Sequence, residues 1–393
     1  MSRSAKNLSI ALLTHSTNPR GGVVHALELA EALTALGHRA VVHAPDPSGG
    51  GFFRATRCGA VGVPARPIAG GGLAKLVETR IADYLAFFTR RDAARHDIHH
   101  AQDGISGNAL ACLREAGRIP GYFYTVHHLD RFADPAVEAR QWRAIANADR
   151  VFCVSHLWRE ILARDHGVEA LLVGNGVDRT RFSPQAGPND GALRARLGLA
   201  DGPVFLSVGG VEARKNSARL LDAFLIAKQT RPDAQLVIAG GASLLDHSGE
   251  ARAFEALLDR NPAAAASVIR TGPLPDADMP ALFRLADALV FPSLREGFGL
   301  VVLEAMASGT PTIVPAIAPF TEHLRPSDAL WVDPLDPAAI AAAMTDILHP
   351  ATAQRLRAAG LRRAAGFGWD ACARRHLDAY HALLTQQRSL AHA

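Results

Sequence analysis

Short runs of β-branched and aliphatic residues alternate with amphipathic helical stretches along the whole chain, and that alternation is the strongest constraint on its fold. A strand, helix, strand order favours parallel strands, with helices covering both faces of the sheets. The spacing predicts strands at Leu8–Thr14, Ala40–Ala44, Asp97–Ala101, Tyr122–Val126, Arg150–Val154 and Ala170–Val173. Helices are expected at Gly22–Leu36, Ala74–Ala94, Ile105–Glu115, Pro135–Ala146 and His156–Arg164. A polar stretch carrying Pro and Gly, Ser183–Gly191, then interrupts the pattern as a linker between cores does. A second series follows, with strands at Pro203–Val208, Gln235–Ala239, Ser267–Arg270, Ala288–Phe291 and Thr312–Val314. Its helices are expected at Asn216–Gln229, Glu250–Leu258, Ala277–Leu285 and Leu300–Ala307.

With 393 residues, each half is long enough to bury its own core. The expected fold is therefore α/β, two Rossmann-like doubly wound domains facing one another across a cleft. Residues 1–185 form the first domain, 186–200 a linker, 201–365 the second, and 366–393 a final helix crossing back to the first. In such sheets ligands bind outside the carboxyl ends of the strands.

Composition excludes several function classes. The apolar runs, Leu171–Val173 and Ala288–Phe291 among them, are far shorter than the roughly 18 residues of a membrane span. Arg3 and Lys6 precede an apolar stretch, but no small-residue cleavage site follows, so Leu8–Leu13 reads as a first strand rather than a signal peptide. The four cysteines, Cys58, Cys112, Cys153 and Cys372, form no CxxC pair, which argues against a zinc site or disulfide framework and fits a reducing cytoplasm. The formal charge of +4 comes from an inventory in which lysine occurs only at positions 6, 75, 215 and 228. There is no long basic run with interleaved aromatics, so no nucleic-acid partner is expected.

The most chemical string is PSLREGFGLVVLEAMASGTP, Pro292–Pro311, directly after a predicted strand. Gly297 and Gly299 sit where a strand-to-helix turn brings backbone close to a ligand, and the following helix offers free N–H groups at Phe298, Gly299, Leu300 and Val301. These donors and the positive end of the helix dipole suit a diphosphate without a metal. Glu296 and Glu304 stand on the order of 10 Å apart at 1.5 Å per helical residue, enough to grip opposite ends of one ligand. Taken alone, the pair reads as a cap and a solvated helix residue.

The whole string closely resembles the EGFGL..LEAMA.G.P signature of the retaining family-4 glycosyltransferases, which have the GT-B fold of two Rossmann-like domains. Other pieces are similar to the family's pattern, in order and along nearly the whole chain. Asn18-Pro19-Arg20-Gly21-Gly22 resembles the Gly-rich loop of the acceptor domain, where Gly21 and Gly22 would approach the donor phosphates. Ala148–Ser155 looks like the "AD..i.vS" strand, and Asn175-Gly176-Val177-Asp178 with Phe182 like "NGVD...F". Asn175 and Gly176 suit a left-handed turn at the domain end. Ser207–Asn216 is similar to "vGRl...KG", in which an Arg and a Lys hold the donor diphosphate. Lys215 matches the Lys; Gly210 stands where the family usually has Arg, and Arg214 is placed to supply the charge from another direction.

In the first domain, Thr125-Val126-His127 resembles the strand-end histidine that lies beside the reacting sugar in the family, with His128 after it. His100-Ala101-Gln102-Asp103 looks like "H.hd", which makes Asp103 a candidate acceptor contact alongside His128. Neighbours on a strand point to opposite faces, so His99, His100, His127 and His128 are not expected to share a metal ion.

The resemblance implies a retaining glycosyltransferase that moves a sugar from a nucleotide-diphosphate sugar to a hydroxyl acceptor, with no metal or other cofactor. Lys215 and the helix N–H groups would stabilise the leaving diphosphate, Glu296 would bind sugar hydroxyls, Glu304 the ribose, and His127 would orient the reacting groups. The helix 73–95 interleaves apolar residues with Lys75, Arg80, Arg90, Arg91 and Arg95, a pattern that covers a sheet and also suits peripheral contact with the anionic inner face of a membrane and a lipid-linked acceptor. Gly210 motivates one alternative, a nucleotide-sugar-binding protein without turnover. An NAD(P) oxidoreductase is disfavoured, because the first strand leads into Asn-Pro-Arg-Gly-Gly rather than GxGxxG.

Overall fold

A computed structural model describes residues 7–68, 70–241 and 247–391. It divides into two compact units, one comprising the residues up to Gly176 together with those from Gly368 onward, the other Val177–Phe367.

The first unit is built on seven parallel strands, β1 (Ser9–Leu13), β2 (Arg39–Asp46), β3 (Gly59–Pro64), β4 (Ile98–Ala101), β5 (Phe123–Val126), β6 (Arg150–Cys153) and β7 (Ala170–Leu172). Their spatial order is β3-β2-β1-β4-β5-β6-β7. β1 is hydrogen-bonded to β2 on one side and β4 on the other, so the strand order reverses there, and the switch point lies beyond Leu13 and Ala101. Ile10 and Leu12 of β1, Ile98, Phe123 and Phe152 join Leu27, Leu29 and Leu33 of helix Gly21–Ala35 in one core.

The final helix, Trp369–Ala391, closes that core with Ala373, Leu377 and Tyr380. Arg375 Nε donates to the Val173 carbonyl at 2.7 Å, and the Tyr380 hydroxyl lies 2.7 Å from His100 Nδ1.

The second unit repeats the plan with β8 (Val204–Val208), β9 (Gln235–Ala239), β10 (Val268–Gly272), β11 (Ala288–Val290), β12 (Thr312–Pro315) and β13 (Leu330–Val332). The order β10-β9-β8-β11-β12-β13 places its switch point between β8 and β11, where the loops 209–216 and 291–299 leave the sheet. All pairs are parallel in both sheets. Central strands are buried on both faces, which is why they read as unbroken apolar runs.

The expected linker is corrected by the structure. The division falls at 176/177, and residues 190–197 of the expected linker form a helix of the second unit. Physical ties hold this segment to that unit. Arg284 makes a bidentate pair with Asp190 at 2.6 and 2.9 Å, Arg181 pairs with Asp276 at 2.6 Å, and Phe182 packs edge-on against Phe283.

Asn175 and Gly176 are likewise not in a left-handed turn; Gly174 is, at φ 65°. Gly176 is needed for another reason, since a Cβ there would lie 2.6 Å from the Trp369 backbone nitrogen. Arg80, counted in a basic face, is buried and tied to Asp83 at 2.8 Å and to the Arg66 carbonyl. Among the described residues no helix is long and apolar enough to cross a membrane.

Candidate active site

At the switch point of the second sheet, backbone geometry gathers charged side chains. Gly209 and Gly210 leave β8 at φ 129° and 74°, and both N–H groups donate to the Ala239 carbonyl. A Cβ on Gly209 would lie 2.6 Å from Lys215 Cε, so glycine makes the room in which that side chain lies.

Asn216 then takes a left-handed conformation, φ 61°, which asparagine tolerates better than most residues. Its buried Nδ2 donates to the carbonyls of Pro292 and Pro334, at 3.1 and 2.6 Å, and the Leu294 N–H donates to the Arg214 carbonyl at 2.9 Å. The 209–216 and 291–299 loops are thereby joined into one rigid frame.

The frame brings Glu296 against both cations. Its Oε1 accepts from Arg214 Nη1 at 2.6 Å and from Lys215 Nζ at 2.7 Å, and the Lys215 ammonium also lies over the Phe291 ring, 4.2 Å from its centre. Glu212 approaches Arg214 at 3.7 Å. Burial alone would push the Glu296 carboxyl up; the charges of Lys215 and Arg214 outweigh it and hold the group below its ordinary value. Burial lowers Lys215, against the pull of Glu296.

Beyond Glu296, Gly299 caps helix Leu300–Ala307 in a left-handed conformation, and a Cβ there would lie 2.5 Å from the Phe320 ring. Only glycine fits, and the first N–H groups, those of Leu300 and Val301, have no acceptor within the helix. Phe298 precedes the cap, so its N–H is not one of the helix's free donors; its ring stacks on His323, centroids 4.3 Å apart. Gly297 is half-buried in the approach to the cap, and Glu304 is half-buried in the second turn.

In the first unit, the sequence-predicted residues gather at the carboxyl edge of β1, β4 and β5. Gly21 and Gly22 open the helix Gly21–Ala35, and a Cβ on Gly22 would lie 3.3 Å from His127 Cδ2, so the imidazole rests against the first helical turn. His127 Nε2 lies 2.8 Å from Gln102 Oε1, and its ring meets His25 edge-on, centroids 4.6 Å apart. Burial, then His25, His376 and His15, hold His127 well below the ordinary histidine value, so it is neutral at pH 7.

Asp103 is chiefly a helix cap. Its Oδ1 accepts from the Ser106 N–H at 2.9 Å in a reciprocal capping box, while Oδ2 is 3.5 Å from His15 Nδ1. His128 turns to Trp158 and to Asp130, whose Oδ1 is 3.1 Å from Nδ1, and its Nε2 is buried.

Sequence reasoning missed four residues that shape the site. Asn216 stands directly after the motif lysine, where the family pattern has a glycine; that substitution was the available signal for a left-handed residue. Gly209 matches the glycine of the same pattern, and that match was its signal. His25 and Asn175, joined by a 2.6 Å hydrogen bond, are 150 residues apart, and nothing local pairs them.

Residues 190–363 match the family model described as "Glycosyl transferases group 1", and residues 19–181 that described as "Glycosyltransferase Family 4". A D-inositol 3-phosphate glycosyltransferase of Salinispora arenicola is 30% identical over 356 residues, covering 81% of this chain and 78% of that protein. The chain belongs to the family 4 glycosyltransferases. Its architecture agrees: sucrose-phosphate synthase from Thermosynechococcus elongatus superposes with a TM-score of 0.79 at 26% identity, over 97% of this chain and 100% of that one. Anabaena HepE, 18% identical, shares the fold with a TM-score of 0.74 over 95% of this chain and 99% of its own. The fold is GT-B, and this glycosyltransferase gains no support from those relatives for the alternative of binding without turnover.

Proposed function

We propose that this glycosyltransferase is a retaining enzyme that takes a sugar from a nucleotide-diphosphate donor held by the second unit and passes it to a hydroxyl acceptor bound at the first, without a metal. The carrying observation is the Arg214–Glu296–Lys215 cluster at the switch point of the second sheet, one short loop before the N-terminus of helix Leu300–Ala307. Without a donor, the two cations satisfy Glu296. A diphosphate brings negative charge that competes for them, which leaves the Glu296 carboxylate to accept from sugar hydroxyls. As the glycosidic bond breaks, charge grows on the leaving diphosphate, and Lys215, Arg214 and the first-turn N–H groups of Leu300 and Val301 stabilise it.

His127 orients the reacting groups from the first unit, Glu304 binds the ribose, and Gly21 and Gly22 allow close approach of the phosphates. Two names support the substrates: HepE was solved with UDP and glucose, and the Salinispora relative is named for inositol 3-phosphate, a hydroxyl-bearing acceptor. We take a soluble acceptor as the better reading than a lipid-linked one, because Arg80 is buried in an ion pair and Val77 and Tyr84 turn into the core.

A thermal-shift panel of UDP-, GDP- and ADP-sugars, their free diphosphates and NAD(P) tests the donor class; a ligand at 100 times its Kd stabilises by about 2.7 kcal/mol. One nucleotide class is expected to shift the midpoint, and transfer with that donor to polyols and sugar phosphates should persist in EDTA and give a product with the donor's anomeric configuration. Inversion would sink the retaining assignment, loss of activity in EDTA the metal-free one, and a shift with NAD(P) alone the donor assignment.

A further inference from the structure

His127 uses its two ring nitrogens unequally. Nε2 faces Gln102 Oε1 at 2.8 Å, whereas Nδ1 has no hydrogen-bond partner among the described residues, and the ring is partly exposed. The Gln102 backbone is held in turn. It follows β4, its N–H donates to the Leu13 carbonyl at 3.0 Å across the switch point, and its side chain is buried, with Oε1 on His127 and Nε2 without a hydrogen-bond partner among the described residues. An amide oxygen at that distance accepts from Nε2–H, and a neutral imidazole with Nε2 protonated carries a bare lone pair on Nδ1.

We propose that Gln102 is a positioning residue that holds His127 in the tautomer with a bare Nδ1, so that His127 accepts a hydrogen bond from a hydroxyl of the sugar or acceptor instead of donating a proton. The inference rests on the transfer reading given above and adds a direction to the hydrogen bond. The surroundings keep the ring neutral. His25 on helix Gly21–Ala35, His376 on the final helix, His100 on β4 and His15 after β1 all face it; Asp103, a carboxylate of that edge, caps Ser106 through Oδ1, and its Oδ2 lies 3.5 Å from His15. A second proton on His127 would be buried among imidazoles.

The test begins on the ligand-free chain, labelled with 15N-histidine, with the His127 signals identified by their loss in His127→Gln. In the wild type, Nε2 is expected to be protonated and Nδ1 bare at pH 7. Gln102→Met, similar in length but lacking the acceptor, is expected to give a tautomer mixture with unchanged melting temperature and about a tenfold lower kcat. Gln102→Glu places a carboxylate beside Nε2 and raises the protonation midpoint of the ring, so activity acquires an acidic limb that the wild type lacks. A protonated Nδ1 in the wild type, or an unchanged tautomer in Gln102→Met, would overturn the positioning role. A tautomer shift with unchanged kcat would overturn the use of Nδ1 in transfer. Absence of transfer by the wild type would count against the enzymatic reading and leave the tautomer result standing.

Discussion

Glu296 accepts from two cations through one oxygen, and this concentrates the consequences of changing it. Glutamine at 296 keeps the shape and removes the charge, so Arg214 and a buried Lys215 face each other with Glu212 as the nearer remaining carboxylate. Leaving a buried charge without its partner costs about 3 kcal/mol, and the loss of sugar contact adds to it in the transition state. Glu296→Gln is expected to lower stability by about 2–3 kcal/mol and kcat/KM by at least about 100-fold. Lys215→Met differs in kind. The Arg214–Glu296 pair survives, so stability falls by about 1 kcal/mol while transfer falls as far as in Glu296→Gln. Urea unfolding paired with initial rates separates the two; equal stability losses would show that Lys215 serves the fold and not the diphosphate. The pH sign follows from the held-down carboxyl of Glu296. Its contribution is present above its ordinary value of 4.5 and disappears as pH falls through the lower folded value.

At the scale of elements, the joint between the two ends of the first unit hangs on Gly176. A methyl group there would press on the Trp369 nitrogen and the Gly368 carbonyl carbon, at 2.6 and 2.9 Å, both backbone atoms that do not swing aside. Gly176→Ala is expected to cost about 2–3 kcal/mol and to displace helix Trp369–Ala391, read as faster hydrogen exchange in that helix; unaltered exchange would show that the joint gives way cheaply. The same elements show what the sequence carries. Strands β1, β2, β5, β8, β9, β11 and β12 were legible because burial on both faces writes a mostly apolar run, and β4, β6, β7 and β10 were legible from their place in the strand–helix alternation. β3 was not, since an edge strand reading Gly-Ala-Val-Gly-Val-Pro has neither an apolar run nor clear alternation, and the short Leu-Trp-Val run of edge strand β13 was passed over. Helix Asp190–Leu197 was hidden by the Pro, Gly and Asn that precede it, and the Ala-rich helix Pro337–Asp346 carries only a weak apolar stripe. In the site, the Glu296 string and Lys215 were visible as contiguous motifs. The contact that fixes them, Asn216 to Pro334, and the His25–Asn175 bond beside His127 in the first unit join residues far apart in sequence, and a local pattern holds no record of such pairs.

For the whole molecule, histidine burial makes the two units unequal in acid. In the first unit His25, His96 and His99 are pushed down to about 4 and His43 and His376 to about 3, with His100 and His127 also well below the ordinary 6.5, in every case chiefly by burial. In the second, among the described residues, only His323 is so placed, at about 4. A lowered folded value means that the unfolded chain takes up protons first, so stability falls as pH drops below 6.5 and continues to fall until the folded value is reached. Between pH 6.5 and 5 each such imidazole removes up to about 2 kcal/mol, and several together rival the 5–15 kcal/mol that holds an ordinary domain folded. Carboxylates such as Glu296 act only below that window, which isolates the histidine effect. Limited proteolysis at pH 7.5, 6 and 5 reads it directly: the first unit is expected to be cut as the pH falls while 177–367 survives as a resistant fragment. Equal survival of the two units at pH 5 would mean that the buried imidazoles find protons or water without the unit opening.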